Sequence, residues 1–286
     1  MNRSVIKVSI IGAVMVLFLG LESCKKNDGP CSDLGKVGGL LINTAFPISS
    51  DVTLGAQVSD NIDSVFAATI WIESEHQAAY DYLNEIKNQI LLSEDVEIKD
   101  LFLWKLTIIN EDVLNAFATP GGYIYVYAGL IKYLDNVDDL AGVMGHEIAH
   151  ADRRHSVNQQ IQNAKLQLLL SVVAGDQSAV AEVAAAFISN VSSLKFSRDD
   201  ESEADAASVE YLDETQFACN GAAEFFRKLE EEGGSGVPEF LSTHPNPSNR
   251  VTDIDARASC RGCSTDNSTA KLNGLTYAQF KALFSN

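Results

Sequence analysis

His146-Glu147-Ile148-Ala149-His150 is the stretch on which the reading of this chain turns. Asn136, with Asp139 three residues later, opens a helix in the manner of a capping box with a shorter acid. Leu140, Val143, Met144, Ile148 and Ala149 then carry that helix to about His155 or beyond. Positions i and i+4 lie one above the other, about 5.4 Å apart, on an α-helix. His146 and His150 can therefore present imidazole nitrogens to one tetrahedral Zn²⁺, at about 2.0–2.1 Å from each. Glu147 can reach a water that the metal acidifies towards pKa ~7 and take its proton as it attacks a carbonyl. The competing reading is an ordinary amphipathic helix, because a five-residue pattern with three fixed letters recurs by chance. The apolar surround favours a helix buried beneath a cleft.

Two histidines and a water leave one protein ligand to find. Downstream, Ser197-Arg198-Asp199-Asp200-Glu201-Ser202-Glu203-Ala204-Asp205 opens another helix, expected over 199–212. Glu201 is the third-ligand candidate. Asp205, one turn on, is placed to hydrogen-bond the back of a ligand imidazole and fix its tautomer. Taken alone, the run reads equally as a solvated acidic helix start.

Around these two helices, 58–92 shows helical periodicity, with Ile62, Val65, Phe66 and Ile70 on one stripe and Ala79, Tyr82, Leu83, Ile86 and Ile90 on a second helix. Residues 101–109 and Tyr123–Tyr127 read as strands, the latter introduced by the turn Pro120-Gly121-Gly122. Two apolar core helices are expected near 158–174 and 179–194; neither is long or apolar enough for a membrane span of ~20 residues. The fold class is α+β and mostly helical, with a small sheet.

The 286-residue chain is 46% hydrophobic and carries a formal net charge of −18, so a buried core is expected and nucleic acid is excluded as a partner on charge. At the N-terminus, Arg3 and Lys7 precede a short apolar run that ends in Leu21-Glu22-Ser23-Cys24. This resembles a bacterial lipoprotein signal, with Cys24 as the lipidated residue, although Glu22 departs from the usual pattern. A plain signal peptide and an uncleaved anchor are the alternatives. Cys31, Cys219, Cys260 and Cys263 remain, enough for two structural disulfides with three possible pairings in an oxidising compartment. Cys260 and Cys263 also form a C-x-x-C, but no second pair and no strand-to-helix redox context accompanies it. The expected organisation is 1–23 signal peptide, 24–55 tether, 56–257 catalytic domain and 258–286 cysteine-bearing tail.

Gly145 to His150, and Ser197-Arg198 with Glu201 to Asp205, resemble the HtpX and CAAX-prenyl-protease type of gluzincin zinc metallopeptidase. So do the segment from Asn115 to Gly122, the triplet Thr243-His244-Pro245, and Arg250. The similarity runs from about 101 to 257 with its motifs in the family's order, and is nearest the exported LoiP- and BepA-like bacterial members. It implies a zincin-like domain with one Zn²⁺ per chain, held by His146, His150 and Glu201, with Asp205 behind a ligand. It also implies an active-site edge strand in which Asn115, Ala116, Phe117, Gly121 and Gly122 bind an extended peptide through its backbone. His244 is implied to approach the metal, either stabilising an oxyanion or plugging the open position. Arg250 is suited to anchoring that loop or holding a carboxylate in the cleft. The implied partners are unfolded or misfolded envelope proteins and, through the lipid, the periplasmic side of the outer membrane. A chaperone-like assembly factor that binds through the same cleft is the alternative. His76 and His155 are read as surface or core histidines.

Overall fold

The computed structural model describes residues 31, 34, 47–163, 195–232, 239–245 and 249–285, with a few positions between 171 and 185. The signal peptide with Cys24, most of the tether and most of the two apolar helices expected at 158–194 lie outside the described residues. Among the described residues no helix is long and apolar enough to cross a membrane.

The chain begins with α1 (Ile48–Val65) and α2 (Gln77–Ile90), followed by β1 (Lys105–Ile109), β2 (Ala116–Thr119) and β3 (Tyr123–Tyr127). Next come α3 (Ala128–Tyr133), α4 (Val137–Asp152), α5 (His155–Asn163), α6 (Arg198–Leu212), α7 (Gly221–Glu231), α8 (Glu239–Thr243), α9 (Arg250–Arg261) and α10 (Tyr277–Ala282). The mostly helical α+β class holds, with one three-stranded sheet in the order β1-β3-β2. β3 lies parallel to β1 and antiparallel to β2. On the far side of β1, Ile70 forms a bridge to Ile109. β2 is the outer strand on the other side, with no strand beyond it among the described residues.

α4 occupies the centre, and all 16 of its residues are buried. Asn136 caps it as read from the sequence: its side chain accepts from the Asp138 and Asp139 backbones, and Asp139 returns a bond to the Asn136 backbone. α7 crosses so close that a Cβ on Gly142 would stand 2.0 Å from the Ala222 nitrogen, so only glycine fits there. α4 ends at Asp152, earlier than expected, because Arg154 takes a left-handed φ of 58°. That costs ~1–2 kcal/mol for a residue with a Cβ. The Arg154 guanidinium is clasped by the Asp51 carboxylate through two 2.7 Å bonds, with both side chains fully buried.

Three expectations shift. α1 starts at Ile48, inside the expected tether, and its buried stripe is Leu54, Val58 and Ile62, while Val65 is 66% exposed. Gly55 allows α1 to lie against the Pro120 carbonyl; a Cβ would stand 1.9 Å from it. Of the strand expected at 101–109 only Lys105–Ile109 forms, since Trp104 has φ 50°. α9 runs through the boundary expected at 257, and Leu272, Tyr277, Phe280 and Phe284 join the main core. The four cysteines pair as Cys31–Cys260 and Cys219–Cys263, so the two C-x-x-C sulfurs go to different partners.

Candidate metal centre

Two helices supply the floor of the site. α4 presents His146, Glu147 and His150, each about 1% exposed. α6 is started by Ser197, whose hydroxyl accepts from the Asp200 backbone while Asp200 bonds back. One turn in, that helix turns Glu201 and Asp205 towards α4, both buried. The His146 and His150 Nε2 atoms lie 3.0 Å apart. Glu201 Oε2 is 3.5 Å from His146 Nε2, and Oε1 is 3.5 Å from His150 Nε2. His244 enters from α8: its Nδ1 is 3.1 Å from Glu201 Oε1 and 3.3 Å from His146 Nε2. His146, His150, Glu201 and His244 thus form one buried group whose donor atoms all lie within 4.8 Å of one another. Two lone-pair nitrogens at 3.0 Å need a proton or a cation between them. The Glu201 Oε2 and Glu147 Oε1 atoms are buried without a hydrogen-bond partner. A donor set of imidazoles and a carboxylate with unfilled acceptors fits a metal ion.

Behind these atoms, Asp205 Oδ1 accepts from His146 Nδ1 at 2.9 Å. Arg250, expected to anchor the His244 loop or hold a carboxylate in the cleft, braces the floor by holding the carboxylates of Asp205 and Glu201. It is 2% exposed, bonds both Asp205 oxygens at 2.7 and 2.5 Å, and lies 2.9 Å from Glu201 Oε2 at an angle too poor for a hydrogen bond. The reason is charge: two buried carboxylates beside each other require a buried cation.

The protonation pattern follows. Burial pushes the His146 imidazole down, but hydrogen bonds to Asp205 and Glu201 outweigh it and raise its pKa to about 9. Burial also drives His150 well below the usual histidine value. Burial alone would raise Glu201, yet His244 and the hydrogen bonds from His146, His150 and His244 hold it far below the carboxylate range. Glu147 goes the other way: burial raises it, only partly opposed by His244 and His146.

The expected edge residues lie on β2, just before it and in the turn after it. Asn115 and Ala116 are buried, Phe117 stacks on Tyr125 with ring centroids 4.8 Å apart, and Gly121 and Gly122 make the turn with φ 79° and 82°. The sequence reading left out Ala118, whose backbone bonds the Glu147 carboxylate. It also left out Phe196, stacked on His150 at 3.9 Å, and Phe240, stacked on His244 at 4.3 Å. No spacing signal marks these, because they arrive from remote segments. His155 lies against the back of His150, and His76 stacks on Trp71. Glu203 faces away from the metal group, as a rotation of about 200° from Glu201 requires.

Residues 80–258 match peptidase family M48. The chain belongs to peptidase family M48. It is 28% identical over 251 residues to the beta-barrel assembly-enhancing protease of Yersinia pestis, covering 80% of this chain and 51% of that one. It is 31% identical over 189 residues to the Escherichia coli K12 protein of the same name, covering 62% and 38%. It is 34% identical over 151 residues to the Arabidopsis thaliana mitochondrial metalloendopeptidase OMA1, covering 51% and 30%. The chain therefore spans about half or less of the length of these relatives. The M48 match contains the whole four-residue group, from His146 to His244.

Proposed function

We propose that this chain is a zinc-dependent endopeptidase acting on extended segments of unfolded or misfolded envelope proteins. One observation carries the reading. Five of the six donor separations among His146, His150, Glu201 and His244 run from 3.0 to 3.5 Å and bracket the edge of a tetrahedron built on zinc bonds of 2.0–2.1 Å, about 3.3 Å, with all donors within 4.8 Å of one another. His146, His150 and Glu201 would hold one Zn²⁺ per chain. When bound, the ion supplies Lewis acidity, lowering the pKa of water towards ~7 and polarising a scissile carbonyl.

The remaining work falls to side chains and backbone. Glu147 takes the proton of the attacking water and hands it to the leaving amine, helped by a carboxyl whose pKa burial has raised. The outer strand β2 can receive a peptide as an added strand, reading backbone rather than side chains. This suits unfolded clients of varied sequence. His244, with Nδ1 against Glu201 and His146 and Nε2 3.5 Å from Glu147 Oε1, would cover the metal and its base as a removable plug. Two disulfides support an oxidising, exported setting. The lipoprotein-like run ending at Cys24 supports a lipid tether at the periplasmic side of the outer membrane. The names of the bacterial relatives support envelope clients.

The test uses the purified full chain. Glu147→Gln should lower cleavage of an unfolded substrate such as casein by roughly 10²–10⁴-fold with zinc still bound. Glu201→Ala should lose the metal. Unchanged cleavage by Glu147→Gln, or stoichiometric zinc in Glu201→Ala, overturns the assignment. An envelope phenotype that Glu147→Gln still complements would instead favour a chaperone-like binding role.

A further inference from the structure

Each ligand histidine uses one ring nitrogen towards the metal position and leaves the other facing the protein. For His146 the rear nitrogen meets a carboxylate, Asp205. For His150 the rear Nδ1 meets another imidazole: His155 Nδ1 lies 2.9 Å away, in a side chain 3% exposed. The far nitrogen of His155, Nε2, lies 3.5 Å from Glu203 Oε2 and 3.9 Å from Asp200 Oδ1. Arg153 Nε lies 3.9 Å from Glu203 Oε1.

Two Nδ1 atoms at 2.9 Å share one proton, so the two rings cannot both carry hydrogen on Nδ1. A His150 that offers a bare Nε2 to zinc must carry its proton on Nδ1. His155 Nδ1 is then the acceptor, and the His155 proton sits on Nε2, pointing at Glu203. The order of protons along the row is fixed from the metal outward. Helical spacing alone does not bring this about. A residue five positions after His150 on an unbroken helix would be displaced by about 140° around the axis. The left-handed turn at Arg154, clasped by Asp51 from α1, ends α4 and starts α5 so that His155 swings back behind His150.

We propose that His155 is a positioning residue for the metal, holding His150 in the Nδ1–H tautomer and in the ligand orientation, with Glu203 fixing His155 in turn. The proposal rests on the zinc reading above. Rear hydrogen bonds of this kind change metal affinity by about 10–100-fold when removed.

The full chain carries the test, with zinc affinity measured by chelator competition and geometry by the visible spectrum of the Co²⁺ form. His155→Phe keeps a ring but no acceptor, and should bind zinc about 10–100-fold more weakly while the metal-free protein melts close to wild type. His155→Asn places Oδ1 where Nδ1 was, and should recover most of that loss. In the wild-type zinc form, ¹⁵N NMR should find His155 protonated on Nε2 and bare on Nδ1, which needs no variant to fold. Wild-type affinity and Co²⁺ spectrum in His155→Phe overturn the proposal, as does an Nδ1 proton on His155. Equal loss in the Asn and Phe variants also overturns it, since the acceptor would then not matter. A wild-type chain that binds no zinc would sink the metal reading itself, a separate outcome.

Discussion

The floor and the roof of the metal group are built by different means. The floor is two capped helices, α4 and α6, crossing with every chemical residue buried and braced: His146 by Asp205, Asp205 and Glu201 by Arg250, His150 by His155. The roof is His244 at the end of the five-residue α8. It is held by the Phe196 nitrogen on the Thr243 carbonyl (3.2 Å), the Phe240 nitrogen on the Leu114 carbonyl (3.1 Å), and the Phe240 ring stack. A floor constrained from several sides keeps its geometry when one contact is lost. The roof also touches Glu201 and His146 through His244, and the Leu114 carbonyl joins it directly to the segment leading into β2. The difference leads us to expect that metal affinity and substrate access respond to different residues.

The largest break in this comparison is expected from Arg250→Ala. It leaves Asp205 and Glu201 buried without their cation and should cost about 3–5 kcal/mol, seen as a lowered denaturant midpoint in the metal-free chain. A loss below 1 kcal/mol would show that the floor is not braced as described.

Asp139, at the start of α4, gives a smaller effect that pH reveals. Burial raises its carboxyl to about 6, against opposing bonds from the Asp135 and Asn136 backbones. The folded state therefore holds the proton more tightly than the unfolded chain, whose value is near 3.8. Its contribution is full below pH 4 and lost as pH rises through 6, amounting to roughly 2–3 kcal/mol. Unfolding measured from pH 4 to 7 should show Asp139→Asn gaining on wild type across that window. A constant difference would refute the shift.

The smallest effect should come from the roof. His244→Ala is expected to leave zinc affinity within a few fold and to raise cleavage of an unfolded substrate by up to about tenfold, or 1.4 kcal/mol. A tenfold fall in kcat with KM unchanged would assign His244 to oxyanion stabilisation instead.

Much of the floor is legible in the sequence because it is local. The i, i+4 histidines, the capping signal at Asn136, and the one-turn step from Glu201 to Asp205 all follow from helical geometry. The Tyr123–Tyr127 strand is likewise read off its β-rich run and the Gly121-Gly122 turn. The misses have a common form. The start of α1 at Ile48, inside the expected tether, rests on packing: Gly55 lets the helix lie against the Pro120 carbonyl. Which carboxylates Arg250 holds is unknown until the helices cross, because its partners lie 45 and 49 positions away.

The sequence by itself determined which residues could hold and use a metal, since those chemistries depend on residue type and on spacings within one helix. Only the tertiary structure decided the rest: which atoms of Glu201 and His146 His244 meets, that Arg250 neutralises the floor, that Ala118 meets Glu147, and that a left-handed Arg154 sends His155 behind His150. Each joins segments whose meeting depends on crossing angles and close approaches, and no periodicity in a linear chain encodes these.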